Sequence, residues 1–249
     1  MNPIDILILA AAGAVSGAVN AVAGGGTFIA FGALTALGVP PISANATCSI
    51  AQFPGYVTST LAYMSDLRTI WRSVIPFLIA SAIGGLLGAL ILLSLDNPQF
   101  RALVPWLLIA ATALFAAGPA ITRYLKSRRF SAPAPLAWAI QLVVAIYGGF
   151  FGAGQGIMML ASLGLTEGDD YHRINAIKNG LSVVIAGLAI FVFASGGVVA
   201  WTYGIVMAIA VAAGGWSGVA IARRVPQTAI RAFVIAVGLV LTAYYAATA

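Results

Sequence analysis

Long stretches without a single charged side chain run through this sequence. Ser73 to Leu95 and Ala102 to Thr122 contain no Asp, Glu, Lys or Arg. About 20 apolar residues in a helix suffice to cross the hydrocarbon core of a bilayer. Charged residues make up only 7% of the chain, whereas soluble domains carry roughly 25%. The sequence therefore predicts an all-α polytopic membrane protein surrounded by a lipid bilayer.

The few ionisable residues exclude several classes of function. The net charge of +6 comes from residues in short loops between apolar runs, where orientation signals lie, so it does not indicate a nucleic acid partner. The single cysteine, Cys48, excludes an internal disulfide, and no metal-type cluster of Cys and His occurs. No nucleophile–base set indicates hydrolysis. We therefore predict a protein that is not an enzyme and needs neither a cofactor nor a metal.

The second half of the chain repeats the first at a constant offset of 130 residues. The matches are Asn45-Ala46 with Asn175-Ala176, Trp71 with Trp201, and Gly84-Gly85-x-x-Gly88 with Gly214-Gly215-x-x-Gly218. The glycines of the last pair have a spacing typical of close helix packing. Internal repeats mark many secondary transporter folds. We predict a first repeat over residues 1–122, a cytoplasmic linker over 123–135 and a second repeat over 136–249.

Each half begins with an apolar run, a glycine cluster and a short second run, and continues with three full-length apolar segments. The short runs are Thr27 to Leu37 and Ile157 to Leu165. As helices they would reach only about 16 Å, roughly half the hydrocarbon thickness. They cannot cross alone, so each is interpreted as the returning arm of a hairpin broken at the glycines. Each repeat is thus predicted to be a broken helical hairpin plus three transmembrane helices.

The basic residues select between two arrangements of the repeats. If each hairpin returns to its starting side, each half crosses the membrane three times and the repeats are inverted. Ten basic residues then lie inside and only Arg101 lies outside, whereas four crossings per half would divide them six to five. The remaining one, Lys178, lies within a helix. Because short cytoplasmic loops are enriched in Lys and Arg, we predict inverted-topology repeats with both termini outside the cytoplasm.

The two glycine clusters are candidate parts of a binding site. One interpretation is a flexible turn or close helix packing, and the other is a break whose freed backbone N–H groups face a cavity. The N-terminus of each short arm carries a partial positive charge that suits anions. Two symmetrically placed breaks favour a substrate site between the halves. The predicted substrate-binding residues here are Gly24, Gly25, Gly26, Thr27, Gly154, Gln155 and Gly156.

The third segment of each half is unusually polar, and one side chain in it is charged. One interpretation is a polar helix end that bonds to its neighbours. The other is functional, because an ionisable residue inside a span is a candidate site residue. Amide and hydroxyl donors with a lysine, and without a carboxylate, favour a small anionic substrate. The faces at i, i+4, i+7 are Asn45, Ser49 and Gln52 in the first half and Asn175, Asn179 and Ser182 in the second, with Lys178 beside them.

Four stretches of the sequence resemble the TauE/SafE sulfite exporter family. They are Gly17 to Gly26, Gly38 to Thr47, Gly149 to Gly156 and Arg173 to Asn179, and they follow the family's order over nearly the whole chain. The resemblance implies a multi-pass protein of the bacterial inner membrane. It also implies export of small sulfur oxyanions or organosulfonates, such as sulfite or sulfoacetate.

Three functions stay open at this point. The first is a secondary transporter that exports an anion by alternating access, as a potential-driven uniporter. It fits the six acidic residues, which all lie in loops or at segment ends, and outward movement of an anion gains about 2.3 kcal/mol per 100 mV. The second is an anion channel or accessory membrane subunit, and the third is a permease for a neutral or cationic metabolite. The sequence leaves the exact substrate and the oligomeric state open, with a homo-oligomer as one option.

Overall fold

The computed structural model describes residues 1–23, 25–62, 64–127, 133–164, 171–222 and 227–248. Four helices in this part of the chain contain windows long and apolar enough to cross a membrane: Pro3–Asn20, Ile70–Leu93, Asn97–Gly118 and Arg173–Ser195. The prediction of an all-α polytopic membrane protein is confirmed. The helices are α1 (Pro3–Ala23), α2 (Gly26–Ala36), α3 (Pro41–Ala62), α4 (Met64–Leu93), α5 (Asn97–Ser127), α6 (Ala134–Phe150), α7 (Gln155–Leu163), α8 (Tyr171–Ser195), α9 (Trp201–Ala222) and α10 (Gln227–Thr248).

Both halves contain the expected helix break, between α1 and α2 and between α6 and α7. At the first break, a Cβ on Gly26 would overlap the carbonyl oxygen of Ser16, so α2 folds back against the middle of α1. At the second, Gly152 and Gly154 have φ angles of +73° and +80°. Only glycine adopts this left-handed backbone without steric cost. The short arms that follow are 11 and 9 residues long.

The main helix contacts come in pairs related by the repeat. Helix α1 packs on α9, and its counterpart α6 packs on α4. Likewise α3 packs on α9 while α8 packs on α4, and the pairs α3–α8 and α5–α10 contact each other across the halves. Reciprocal exchange of this kind is what a two-fold relation between two units produces.

The contacting residues also give the directions of the helices. Gly13 of α1 lies against Met207 of α9, and Gly17 lies against Val211, so these two helices run parallel. The same comparison makes α9 parallel to α3 and α6 parallel to α4. Ile42 at the start of α3 donates to Asn97, four residues after the end of α4, so α4 runs opposite to α3 and α6 is antiparallel to α1. These directions agree with inverted repeats, and the orientation relative to the cytoplasm stays a prediction.

Glycines allow the closest approach between the halves. A Cβ on Gly88 would overlap the carbonyl oxygen of Ile146, and one on Gly214 would overlap that of Ala14. Small residues permit such backbone contact between membrane helices. The prediction that Gly84-x-x-x-Gly88 serves helix packing is confirmed, as it is for Gly214.

The two ends of the bundle differ in charge. One end of the bundle carries Arg72, Arg123 and Arg173. Helices α3, α5 and α9 end there, and helices α4, α6 and α8 begin there. We call this the basic end; it is the predicted cytoplasmic side. The α2–α3 and α8–α9 connections meet at the opposite end. Among the described residues there, Arg101 near the start of α5 is the one lysine or arginine.

Candidate functional site

A polar cavity of about 410 Å³ lies between α1, α3, α8 and α9, toward the basic end. Helix α3 contributes Gln52 and Tyr56, and α8 contributes Asn175, Lys178 and Asn179. Gln52 of the first expected polar face and Asn175 and Asn179 of the second therefore line one space. The mouth of the cavity is marked by exposed residues from α3 and α9.

Lys178 is the one charged side chain among the described residues that line this cavity. None of these lining residues carries a carboxylate. An ionisable side chain within a membrane span is normally retained for a function, because leaving it unpaired there is costly. The cavity can therefore attract an anion, which would supply the negative charge that the lining lacks.

A second, much smaller space of about 20 Å³ lies deeper, where the two helix breaks meet. That volume holds roughly one water molecule. Thr27 in the first turn of α2 and Gln155 in the first turn of α7 both line it, together with Ser49 of α3. Gln52 and Tyr56 line both this central void and the cavity. These two side chains therefore form the boundary between the two spaces.

Hydrogen bonds to main-chain carbonyls hold the second break in shape. The Tyr147 hydroxyl donates to the carbonyl oxygen of Ala153 at 2.6 Å. The Asn45 amide nitrogen donates to the carbonyl oxygen of Phe150 at 2.8 Å. This bond satisfies an acceptor at the end of α6, where the helix leaves carbonyl groups unpaired. Asn45 thus stabilises the break.

A chain of side-chain hydrogen bonds holds the first break. The Ser16 hydroxyl donates to the carbonyl oxygen of Gly26 at 2.7 Å and accepts from the Gln52 amide nitrogen at 2.7 Å. The Asn20 amide nitrogen donates to Gln52 Oε1 at 3.2 Å. Ser16 is fully buried and Gln52 is 2% exposed. The break is therefore tied to α1 and α3 through one serine.

Some of the predicted site residues are brought together and others are not. Those that line one of the two spaces are Thr27, Ser49, Gln52, Gln155, Asn175, Lys178 and Asn179. Those that line neither are Gly25, Gly26, Asn45, Gly154, Gly156 and Ser182, while Gly24 lies outside the described residues. The Ser182 hydroxyl instead lies 3.7 Å from the sulfur of Met159. Direct contact of any of these residues with substrate stays a prediction.

An aromatic layer closes the central void toward the opposite end; it consists of Phe31, Phe100, Phe151 and Tyr245. Phe151 lines the void, and its ring lies 5.6 Å from that of Phe31 and 6.2 Å from that of Phe100, between centroids. Phe31 also stacks on Tyr245 at 5.8 Å. Because α5 begins and α10 ends at the opposite end, these rings separate the void from that side.

The sequence profile described as Sulfite exporter TauE/SafE matches residues 9–245 of this chain. The chain belongs to the TauE/SafE family. A probable membrane transporter protein of Haemophilus influenzae is 28% identical over 247 residues, covering 96% of this chain and 94% of that protein. The probable membrane transporter protein YfcA of Escherichia coli K12 is 26% identical over 251 residues, covering 98% and 90%.

A third relative of this TauE/SafE protein matches it over a smaller part of both chains. The probable membrane transporter protein ORF9 of a Sinorhizobium species is 26% identical over 203 residues, covering 78% of this chain and 74% of that protein. No solved structure matches the chain. The names of all three relatives describe membrane transporters, which agrees with a multi-pass membrane protein.

Three residues of this TauE/SafE protein belong to the site although the sequence reasoning did not include them. Tyr56 continues the polar face of α3, because it lies one turn beyond Gln52. Ser16 and Asn20 are the polar residues of α1 beyond its first turn, and they are four apart on one face. The repeat hid the latter pair, since both counterparts in α6 are apolar.

Proposed function

We propose that this protein exports a small anion of the sulfur oxyanion or organosulfonate class across the bacterial inner membrane. Its membership of a membrane transporter family gives the general activity. The observation that carries the finer proposal is Lys178, a cation in a cavity whose described lining has no carboxylate. Amide groups of Asn175 and Asn179 lie beside it and can donate hydrogen bonds to oxyanion oxygens. No enzymatic step is part of this proposal.

The unequal ends of the site support alternating access over a channel. The cavity reaches the surface toward the basic end, and the central void ends at the aromatic layer. A conducting channel would need a continuous path. If the basic end faces the cytoplasm, as the charge distribution favours, this arrangement is an inward-facing state. Inverted repeats then supply the outward-facing state through exchange of the conformations of the two halves.

Energetics favour a uniporter without a coupling ion. With an inside-negative potential, an exported anion gains about 2.3 kcal/mol per charge and 100 mV. Among the described residues, neither of the two spaces is lined by Asp, Glu or His. The membrane potential alone would therefore drive export.

The test is a panel of anion fluxes in proteoliposomes that contain the purified protein. Sulfite, sulfoacetate, ethanesulfonate, chloride and a neutral sulfone are compared, each with and without an excess of unlabelled substrate on the far side. We expect saturable flux of a sulfur oxyanion or sulfonate that is accelerated by counterflow. Flux that neither saturates nor shows counterflow would indicate a channel. Transport of the neutral compound with no anion flux would overturn the anion proposal.

A further inference from the structure

Gln52 occupies the boundary between the cavity and the central void. Its side chain lines both spaces, yet it is only 2% exposed. A buried amide in this position must be satisfied by the protein, because an unpaired polar group at depth is costly. Its partners therefore decide which atoms it can offer to a solute that passes from one space to the other.

The hydrogen-bond chain of the first break fixes the orientation of this amide. The carbonyl oxygen of Gly26 can only accept, so the Ser16 hydroxyl hydrogen is used in that bond. Ser16 must then accept from Gln52, which requires the nitrogen of the amide on that side. The Gln52 oxygen consequently faces the amide of Asn20, which donates to it. Reversal of the amide would leave Ser16 with one hydrogen for two acceptors, so at least one hydrogen bond would be lost.

We propose that Gln52 is a specificity-determining residue that selects anions at the threshold of the central void, with Ser16 as its positioning residue. An amide nitrogen carries two hydrogens, and Ser16 takes one of them. The other is a donor held on a residue that borders both spaces. Since Ser16 blocks reversal, the threshold offers a hydrogen-bond donor to the solute. This inference rests on the proposed function and adds a second selection step beyond Lys178.

The void holds roughly one water molecule, so a sulfonate can enter only if the boundary widens. The other boundary residue is Tyr56, whose hydroxyl lies within hydrogen-bonding reach of Asn20 and Thr27. Both boundary residues are therefore held near the first break, and a solute passes only when the boundary is displaced. The donor on Gln52 then selects the charge sign of the solute that can stay at the threshold.

The variant Gln52→Glu isolates this function, because its shape is nearly unchanged. A carboxylate still accepts the hydrogen bond from Asn20, whereas the one hydrogen of Ser16 can go either to the carboxylate or to the carbonyl oxygen of Gly26. The donor toward the void is lost, and a negative charge takes its place. Ser16→Ala leaves Gln52 in place at the threshold but removes the serine that fixes the orientation of its amide. The Gln52 amide is then free to turn.

Cys48 supplies a direct readout, since it is the single cysteine of the chain and lines the central void. Two methanethiosulfonate probes are applied to the purified protein, one with a sulfonatoethyl group and one with a trimethylammonioethyl group. Each forms a mixed disulfide with the Cys48 thiolate and releases methanesulfinate. Rates are divided by those of a small thiol in solution, so that the ratio reports the charge preference of the path to the void.

We expect the wild type to favour the anionic probe by about tenfold, the scale of a hydrogen bond to a charged group. Gln52→Glu should lower the preference most, because it places a negative charge at the threshold. Ser16→Ala should lower it to the part that Lys178 sets, and Ser16→Thr should retain it. The matched controls are Gln141→Glu and Ser81→Ala. Gln141 Nε2 donates to Ser81 Oγ at 2.8 Å in a similarly buried pair, and neither residue lines the cavity or the void.

Two results would overturn the inference. In the first, Cys48 still reacts in Gln52→Glu and in Ser16→Ala, and the charge preference of both variants equals that of the wild type. The other is a folded wild type in which neither probe reaches Cys48, although both react after denaturation. Anion flux measured on the wild type and the same variants distinguishes failure of this inference from failure of the proposed function. Wild-type flux with an unchanged preference rejects the threshold alone, whereas absent flux rejects the transport proposal.

Discussion

The amide nitrogen of Asn45 donates a hydrogen bond of 2.8 Å to the carbonyl oxygen of Phe150, and the repeat-related bond is not formed. Asn175 is the counterpart of Asn45, and Asn20 that of Phe150. Among the described residues no bond joins these two; Asn175 lines the cavity, and its Oδ1 atom is buried without a partner. The hydrogen bond is thus present toward the opposite end, where the aromatic layer closes the site, and its counterpart is absent toward the basic end, where the cavity is open. If the Asn45 bond broke and the Asn175 bond formed, we expect the opening to move to the opposite end.

Asn45→Ala should therefore shift the protein toward the state that is open at the opposite end. A lost hydrogen bond is worth about 0.5–1.5 kcal/mol, so the population of that state should rise by up to about tenfold. The measurement is modification of Cys48 by the anionic thiol probe, added to inside-out and to right-side-out vesicles. Ser195→Ala is the control, because its hydroxyl bonds only to carbonyls of its own helix. If the ratio of Cys48 modification between the two vesicle orientations is the same in Asn45→Ala and wild type, the expected shift toward the state open at the opposite end is wrong.

Lys178→Ala should weaken anion transport or binding by roughly tenfold to a hundredfold, the scale of a charged hydrogen bond. Lys178→Arg keeps the charge and should retain most of the activity. Initial flux rates in proteoliposomes over a range of substrate concentrations provide the measurement. Arg123→Ala, which removes an exposed charge at the basic end, is the control. Normal transport by a folded Lys178→Ala variant would leave the backbone N–H groups of the breaks as the anion ligands.

Gly154→Ala should impair transport because Gly154 is the N-cap of α7, with φ of +80°. An alanine in this conformation costs about 1–2 kcal/mol, so the backbone of the break should change. Gly38→Ala is a matched control, since Gly38 also has φ of +80° and a Cβ there would meet nothing within 4 Å. Both variants should lose similar thermal stability in detergent. Only Gly154→Ala should lose flux as well, and equal flux in the two would show that this break is not part of the site.

Gly214→Ala should destabilise the fold. A Cβ at that position would overlap the backbone of Ala14 in α1, and overpacking of a tight contact costs about 1–3 kcal/mol. Gly180→Ala is the control, because its Cβ would lie 3.7 Å from Leu67, an ordinary contact. Thermal unfolding monitored by circular dichroism should show a lower midpoint for Gly214→Ala alone. A midpoint equal to wild type would mean that α1 and α9 leave room for a methyl group at Gly214.

Export of a monovalent anion should increase as the interior is made more negative, in the absence of sodium and proton gradients. The reason is the gain of about 2.3 kcal/mol per charge and 100 mV. Potassium gradients with valinomycin set the voltage in proteoliposomes, and protein-free vesicles give the background. If flux stops when a proton gradient is collapsed at constant voltage, the uniport mechanism is wrong.

The helix breaks could be predicted from the sequence because glycine clusters interrupt apolar runs too short to cross a bilayer. The sequence predicts the first short arm over Thr27 to Leu37, and the structure has it over Gly26–Ala36. The second begins at Gln155, two residues earlier than expected, because the left-handed Gly154 completes the turn and lets the helix start immediately. Local backbone chemistry sets this boundary, and apolar periodicity does not detect it.

The site could be predicted only in part, because a helix face gives a direction and not a neighbour. The polar faces correctly brought Gln52 and Lys178 to one cavity. They could not show that Asn45 bonds to the backbone of a residue 105 positions away. Nor could they show that Ser182 lies against Met159. These partners are set by how α6 and α7 pack on α3 and α8, which depends on the whole bundle.

The packing of α1 on α9 imposes an order on biosynthesis. Gly13 contacts Met207, so the two helices are separated by roughly 190 residues of chain. At the usual pace of about 5–20 residues per second, α1 enters the bilayer roughly 10–40 s before its partner exists. During that interval its glycine-lined face has only lipid or a chaperone to cover it. A ribosome stalled in the second half would therefore leave an inserted but unassembled first half, exposed to membrane proteases.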